Sequence, residues 1–432
     1  MKKLLIPTLL FCSILAFTQE TTGIDYTFPF YDGSNEYMTM RQMNRLYQSA
    51  NTILTAQIYE LYDKYIVFNR PVILFINLVT TEFLCEPLTH EEGHRSILTA
   101  QGIGAISQPI FDTAGAAYVK GVSDSTLQNL RDTDLPMFIR LHTAGIESDY
   151  MNMQQAFKTM AFNLSPVTNI SLGEGPMPVV YTEYLIRMLN VWTYPFMSLI
   201  DDWRTKLGEA SYTAGLVEED NELDRDIVGE DVYGMVHHLF NPTSEYHRYW
   251  NYEDLSQEER EFAWRLGYRS CINLISPSII GRENFQLTDS LRISGNMGYC
   301  LAPFGDFIDE NFYLKFGKFN ITAYARQAEN RNNWFPAFGI SLYQYKPVDW
   351  LTLSVGGHFW MQPENLDFNT ATGVPGGAAE GEAQFVLPGA TSAELKGIGL
   401  SLGALYKTYG FMPEIEQHDS HFRLSAGLVL RY

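Results

Sequence analysis

The chain has 432 residues, 46% of them hydrophobic; its 27 Phe, 26 Tyr and 7 Trp need burial, which excludes disorder as the dominant state. Lys and Arg number 30 against 50 Asp and Glu, and a formal charge of −20 excludes the basic footprint of a nucleic-acid binder. Four cysteines in so long a chain exclude a disulfide scaffold.

Residues 1–18 read as a secretory signal peptide. Met1-Lys2-Lys3 is basic, Leu4 to Ala16 is apolar, and Ala16 and Thr18 are the small residues before a cleavage point at Gln19. Phe11, standing before Cys12, argues against a lipoprotein signal. Export leaves Cys85, Cys271 and Cys300; Cys271 and Cys300 could pair, and three buried thiols are an equal alternative.

Residues 19–284 carry helical patterns. Met38 to Tyr65 has a loose apolar face at Leu46, Leu54, Ile58, Leu61 and Tyr65, and Met151 to Phe162, Val179 to Ile200 and Glu258 to Leu274 are similar. Pro71 to Cys85 is apolar but shorter than the roughly 20 residues a membrane helix needs. Val179 to Ile200 contains Glu183, Arg187 and Pro195. Both are expected as buried core helices.

Residues 285–432 alternate with period two. Phe422, Leu424, Leu428 and Leu430 share one face of the last segment, and Arg423, Ser425 and Arg431 share the other. The expected class is therefore α+β: an N-terminal helical domain followed by a C-terminal antiparallel β-barrel of about eight strands. A soluble barrel or sandwich would alternate equally well. The closing strand, ending on Tyr432, resembles that of bacterial outer-membrane barrels. The resemblance implies outer-membrane lipid around the leucine faces, Arg423, Arg431 and Lys396 at the lumen or the interface, and a periplasmic helical domain. An eight-stranded interior is filled by side chains, so such a barrel is an anchor and not a pore.

The chemistry lies in Leu88-Thr89-His90-Glu91-Glu92-Gly93-His94-Arg95, a complete H-E-x-x-H. On a helix, His90 and His94 share a face and can bind one zinc ion, while Glu91 can act as general base toward a water. Gly93 weakens the helix by about 1 kcal/mol relative to Ala, and Pro87 places the motif in a first turn or after a kink. The residues resemble H-E-x-x-H zinc metallopeptidases, the gluzincins in the broad sense; the local His-Glu-x-Gly-His form resembles site-two intramembrane proteases. That resemblance implies hydrolysis of a peptide or protein substrate and a third carboxylate ligand. The candidates are Glu147, then Asp149, then Glu174, which stands where site-two proteases have an aspartate. His238, beside His237, is a candidate for stabilising an oxyanion. Two alternatives remain open: a non-enzymatic outer-membrane barrel protein with a helical periplasmic domain, and a zinc-holding binding module without turnover.

Overall fold

Period-two alternation builds more of the molecule than its C-terminal third. The computed structural model describes residues 23–65, 69–111, 117–164, 170–172, 175–177, 180–212, 220–280, 284–288, 290–388 and 395–432. Its main feature is one antiparallel sheet of ten strands. These are β1 (Asp25–Asp32), β6 (Phe285–Thr288), β7 (Leu291–Ala302), β8 (Gly305–Phe316), β9 (Phe319–Glu329), β10 (Trp334–Val348), β11 (Leu351–Pro363), β12 (Gly373–Pro388), β13 (Gly397–Lys407) and β14 (His421–Arg431). Strands β6 to β14 follow one another as an up-and-down meander, and β1 adds itself beside β14. The remaining strands, β2 (Ile106–Gln108) with β3 (Tyr118–Lys120) and β4 (Ile170–Leu172) with β5 (Gly175–Met177), form two small hairpins.

The α+β class stands, with two corrections. The strands number ten, not about eight. One of them, β1, comes from the stretch expected to be helical. It pairs from Asp25↔Arg431 to Asp32↔Ser425, with an irregularity between Pro29 and Tyr31. A proline has no N–H for a ladder, so Pro29 suits an edge strand with a bulge. Among the described residues no ladder joins β1 to β6, so the sheet is open along that seam.

One face of the sheet exposes apolar residues and the other buries charged ones. Leu400, Leu402, Leu424 and Leu428 are exposed, as are Phe338, Ile340, Phe385 and Phe422. Arg423 and Arg431 are buried on the opposite face. There Arg431 pairs with Asp25 (2.5 Å) and Arg423 with Asp32 (3.2 Å), while Lys346 approaches Asp25 at 3.1 Å. Helices α1 (Met40–Tyr65) and α5 (Leu135–Phe162) lie against this charged face. Arg41 and Arg45 of α1 pair with Glu380 and Glu382, and Tyr150 of α5 donates to Asp309 at 2.5 Å. The sheet curls around these helices, so that β1 and β8 to β14 line a single cavity with them.

The other helices are α2 (Asn69–Thr80), α3 (Glu86–Ala100), α4 (Asp124–Thr133), α6 (Tyr181–Lys206), α7 (Asp231–Phe240) and α8 (Gln257–Ser270). Helix α5 is the axis of this part, buried along most of its length and packed against α3, α4, α6 and α7. Gly93 has a packing reason: a Cβ there would stand 2.5 Å from the Ala144 carbonyl oxygen, so α3 and α5 meet backbone to backbone. Between α2 and α3, residues Thr81–Cys85 form one π-helical turn, closed by the Glu86 N–H on Thr81 O. The wide turn directly precedes Pro87, which brings no N–H of its own to the helix.

The apolar segment Pro71 to Cys85 is not the buried helix expected. Phe75, Leu78, Phe83 and Leu84 are all exposed. No helix among the described residues is long and apolar enough to cross a membrane. The pairing considered for Cys271 and Cys300 does not form; Cys85, Cys271 and Cys300 are all free thiols.

Candidate metal centre

His90 and His94, one turn apart on α3, both present Nε2 to the same point. The tautomer of His94 follows from its partner. Its Nδ1 lies 2.6 Å from the Leu141 carbonyl oxygen, which only accepts, so Nδ1 carries the proton and Nε2 is a lone pair in the neutral ring. His90 Nδ1 lies 2.9 Å from Asp149 Oδ2 and carries a proton as well; burial disfavours charge on this ring, but Asp149 and Asp231 outweigh it and hold His90 well above the usual imidazole range. Opposite both rings stands Asp231, the first residue of α7. Its Oδ2 is 3.3 Å from His90 Nε2 and its Oδ1 is 3.6 Å from His94 Nε2. Two imidazole Nε2 atoms thus face one carboxylate.

A carboxylate facing two imidazole nitrogens needs a cation between them, either a proton on His90 Nε2 or a metal that displaces it. Tetrahedral zinc with bonds of about 2.0–2.1 Å holds its ligand atoms about 3.3 Å apart, close to the spacing seen. Gly145 of α5 keeps the point free: a Cβ there would lie 2.3 Å from His90 Nε2 and 2.5 Å from His94 Nε2. The residues present fit a divalent metal held by His90, His94 and Asp231. The set Glu86, His90 and Asp149 also clusters, but it would use His90 Nδ1, whose proton Asp149 already takes.

Asp149 is the orienting carboxylate. Arg187 of α6 donates to it at 2.5 Å, reaches Glu183 at 2.8 Å, and also donates to the carbonyl oxygen of Cys85 at 3.2 Å. One guanidinium therefore ties α6 to the π turn and holds Asp149 against His90. Burial and the charge of Asp149 push the Glu86 carboxyl up to about 8, so near neutral pH it is largely protonated. Burial also holds Glu91 well above the carboxylate range; His90 opposes this, and Asp226, Asp231 and Glu86 reinforce it. Asp149→Asn should weaken zinc binding about 10–100-fold, read by competition with a chelating dye. Unchanged affinity would remove Asp149 from the support of the site.

The other expected residues fall elsewhere. Glu147 lies two positions beyond Gly145 on α5, which turns it away from the histidines. It accepts from Arg140 Nη2 at 2.7 Å and Nε at 3.1 Å and from the Glu414 N–H at 2.8 Å. Asp231, and not Glu147, stands beside the two histidines. His238 lies two turns along α7 from Asp231, fully buried, with Phe138 at 5.0 Å and Tyr246 at 6.1 Å between ring centroids. It is not in the cluster that His90 and His94 form with Asp231. Glu174 lies outside the described residues.

Two residues near the site gave no sequence signal. Tyr194 of α6 stacks on His90, with centroids 5.1 Å apart, yet an aromatic residue in an apolar helix reads as core. Asp231 begins a helix, where an acid is ordinary because it complements the helix dipole. His142 of α5 also approaches the centre. Burial takes it down to about 3, with Asp231 opposing and His94 adding, and neither ring nitrogen has a hydrogen-bond partner. The centre is closed in this conformation: His90, His94, Asp231 and Glu91 are each at most 8% exposed.

No family model matches the chain, and no curated protein does. Among solved structures it is similar to Acinetobacter baumannii OccAB3, at 12% identity over 34% of this chain and 46% of that one, with a TM-score of 0.25. The match spans less than half of that protein, and at this score it carries no argument.

Proposed function

We propose that the chain is a zinc-dependent peptide hydrolase of a bacterial envelope, seated in the outer membrane by its sheet. One observation carries the catalytic part: two imidazole Nε2 atoms and a carboxylate converge on a point that Gly145 leaves free, with Glu91 one residue from His90. Two nitrogens and one oxygen suit zinc best among common metals. Zinc bound there supplies a Lewis acid for the scissile carbonyl and acidifies an attacking water. Burial raises Glu91, and the charge of a zinc ion bound beside it would oppose that and ionise the carboxyl, which would then take that water's proton; Asp149 and the Leu141 carbonyl fix the two rings; the packed helices exclude bulk solvent. Peptide-bond specificity rests on the motif's resemblance to the metallopeptidases, and no nucleic acid enters this reading.

The full-length protein should carry about one zinc per chain and cleave members of a mixed peptide library, and the double variant His90→Ala/His94→Ala should do neither. Full zinc occupancy in that variant would sink the assignment. The closure of the centre favours a second reading, a zinc-stabilised envelope protein without turnover. In that case chelation lowers the melting temperature, and the zinc-loaded protein cleaves nothing in the library.

The membrane part rests on the two faces of the sheet, leucine and phenylalanine outside and paired charges within. Lipid would surround the exposed face, as on an outer-membrane barrel, and the helices packed inside would fill the lumen. Leu428→Arg should cost about 2–4 kcal/mol if the residue sits near the bilayer midplane. Fractionation decides the matter: the protein should resist high salt and alkaline carbonate and need detergent for extraction. Release of the intact chain without detergent would overturn the membrane assignment.

A further inference from the structure

The sheet does not close on itself, yet its seam is not left bare. Ile24 and Tyr432 exchange both backbone bonds, so Thr27 and Pro29 turn their carbonyls away from β14. Both carbonyls are met by α1: Ser49 Oγ donates to Thr27 at 2.7 Å and Gln42 Nε2 to Pro29 at 3.3 Å. A helix thus covers the free edge of β1. From there the neighbours run on without a gap. Helix α1 packs on α2, α2 on α6, α6 on the turn Cys271–Leu274, and that turn on β7, the neighbour of β6. Strands and helices together make one closed circuit.

Apolar side chains are exposed all round it. The strands carry the leucine and phenylalanine face. The helical part exposes Leu54 on α1, Phe75 and Leu78 on α2, Leu189 and Trp203 on α6, and Ile275 just past the turn. Pro71 to Thr81 contains no charged residue. Single exposed hydrophobics are ordinary on a water-soluble protein, whereas a large contiguous apolar surface marks an interface. A protein partner or a second copy would cover one side of the circuit; only a surrounding medium meets every side. Helix α2 has 12 residues, about 18 Å at 1.5 Å per residue, which is shorter than the hydrocarbon core. A helix satisfies its own backbone groups, so α2 can lie beside the sheet in lipid without crossing it.

We infer that α2 and the exposed flank of α6 complete the lipid-contacting wall across the seam. The inference rests on the membrane reading of the sheet and adds that these helices lie beside the strands in hydrocarbon and not in the aqueous periplasm. Its test uses the full-length protein in vesicles of phosphatidylethanolamine and phosphatidylglycerol. Cys85→Ser and Cys271→Ser remove the two partly exposed thiols, and the buried Cys300 stays. A nitroxide is attached in turn at Phe75→Cys on α2, at Leu402→Cys on β13 and at Asp224→Cys, an exposed aqueous reference. Power saturation then compares its collisions with oxygen, which gathers in hydrocarbon, and with a nickel chelate, which stays in water. The oxygen-to-nickel ratio should be several-fold higher at Phe75 and Leu402 than at Asp224. A lipid-like ratio at Leu402 with a water-like one at Phe75 would overturn the inference and leave the membrane reading standing. Shielding of Phe75 from both reagents would overturn it too, because that is the mark of a protein partner. Water-like ratios at both positions would overturn the membrane reading and the inference with it. Leu78→Cys replaces Phe75→Cys if circular dichroism shows that the latter does not fold.

Discussion

Asp231→Ala should strip zinc from the purified protein, whereas Glu147→Gln should leave about one zinc per chain and lower stability instead. The two carboxylates are equally buried but differ in what they face. Asp231 faces both imidazole Nε2 atoms, and without it a metal held there has no third ligand. Glu147 faces the Arg140 guanidinium, and both side chains are wholly buried. Breaking such a pair leaves an uncompensated buried charge, at a cost of about 3–5 kcal/mol; Gln keeps some hydrogen bonding, so the lower end applies. Elemental analysis and denaturant unfolding separate the outcomes. Zinc retained by Asp231→Ala and lost by Glu147→Gln would return the third position to Glu147.

The second large effect concerns Glu91. Glu91→Gln preserves size but cannot take a proton, so hydrolysis should fall about 10²–10⁴-fold while zinc content holds. The side chain has no ligand role to lose. Equal rates for wild type and variant on any cleaved peptide would reject Glu91 as the base. Zinc loading should itself fall in acid, because imidazole must be unprotonated to bind a metal, and equilibrium dialysis across pH 5 to 8 would follow it.

How far the site was legible depended on chain distance. His90, Glu91 and His94 share one helical turn, so their spacing alone puts them together. Asp149 was noticed, but as a ligand; only its contact with His90 Nδ1 distinguishes orienting a ring from binding a metal. Asp231 could not be found, because no spacing rule relates the start of α7 to α3 across the fold. Glu147 was misplaced for a reason visible in retrospect: Arg140 lies seven residues before it, two helical turns, hence on the same face.

In the sheet, the separation of Leu424 and Leu428 from Arg423 and Arg431 followed from period two and holds in the structure. Strand β1 was missed because Pro29 interrupts its alternation and no second strand stands near it in sequence. The exposed apolar residues of α2 were misjudged on a different ground. Hydrophobicity says that a side chain resists water, and does not say that a neighbour covers it.

The pairing of β1 with β14 also governs the order of events during synthesis. Asp25 meets Arg431 across 406 positions of the chain. Native pairing of β1 must wait until β14, 406 positions on, has been made, and contacts so distant in sequence close slowly. Until then β1 and the unpaired edges of the growing meander are open to wrong partners. Pairing of β1 is therefore a late event in the assembly of this sheet, and an agent that shields extended apolar strands until then would protect its yield.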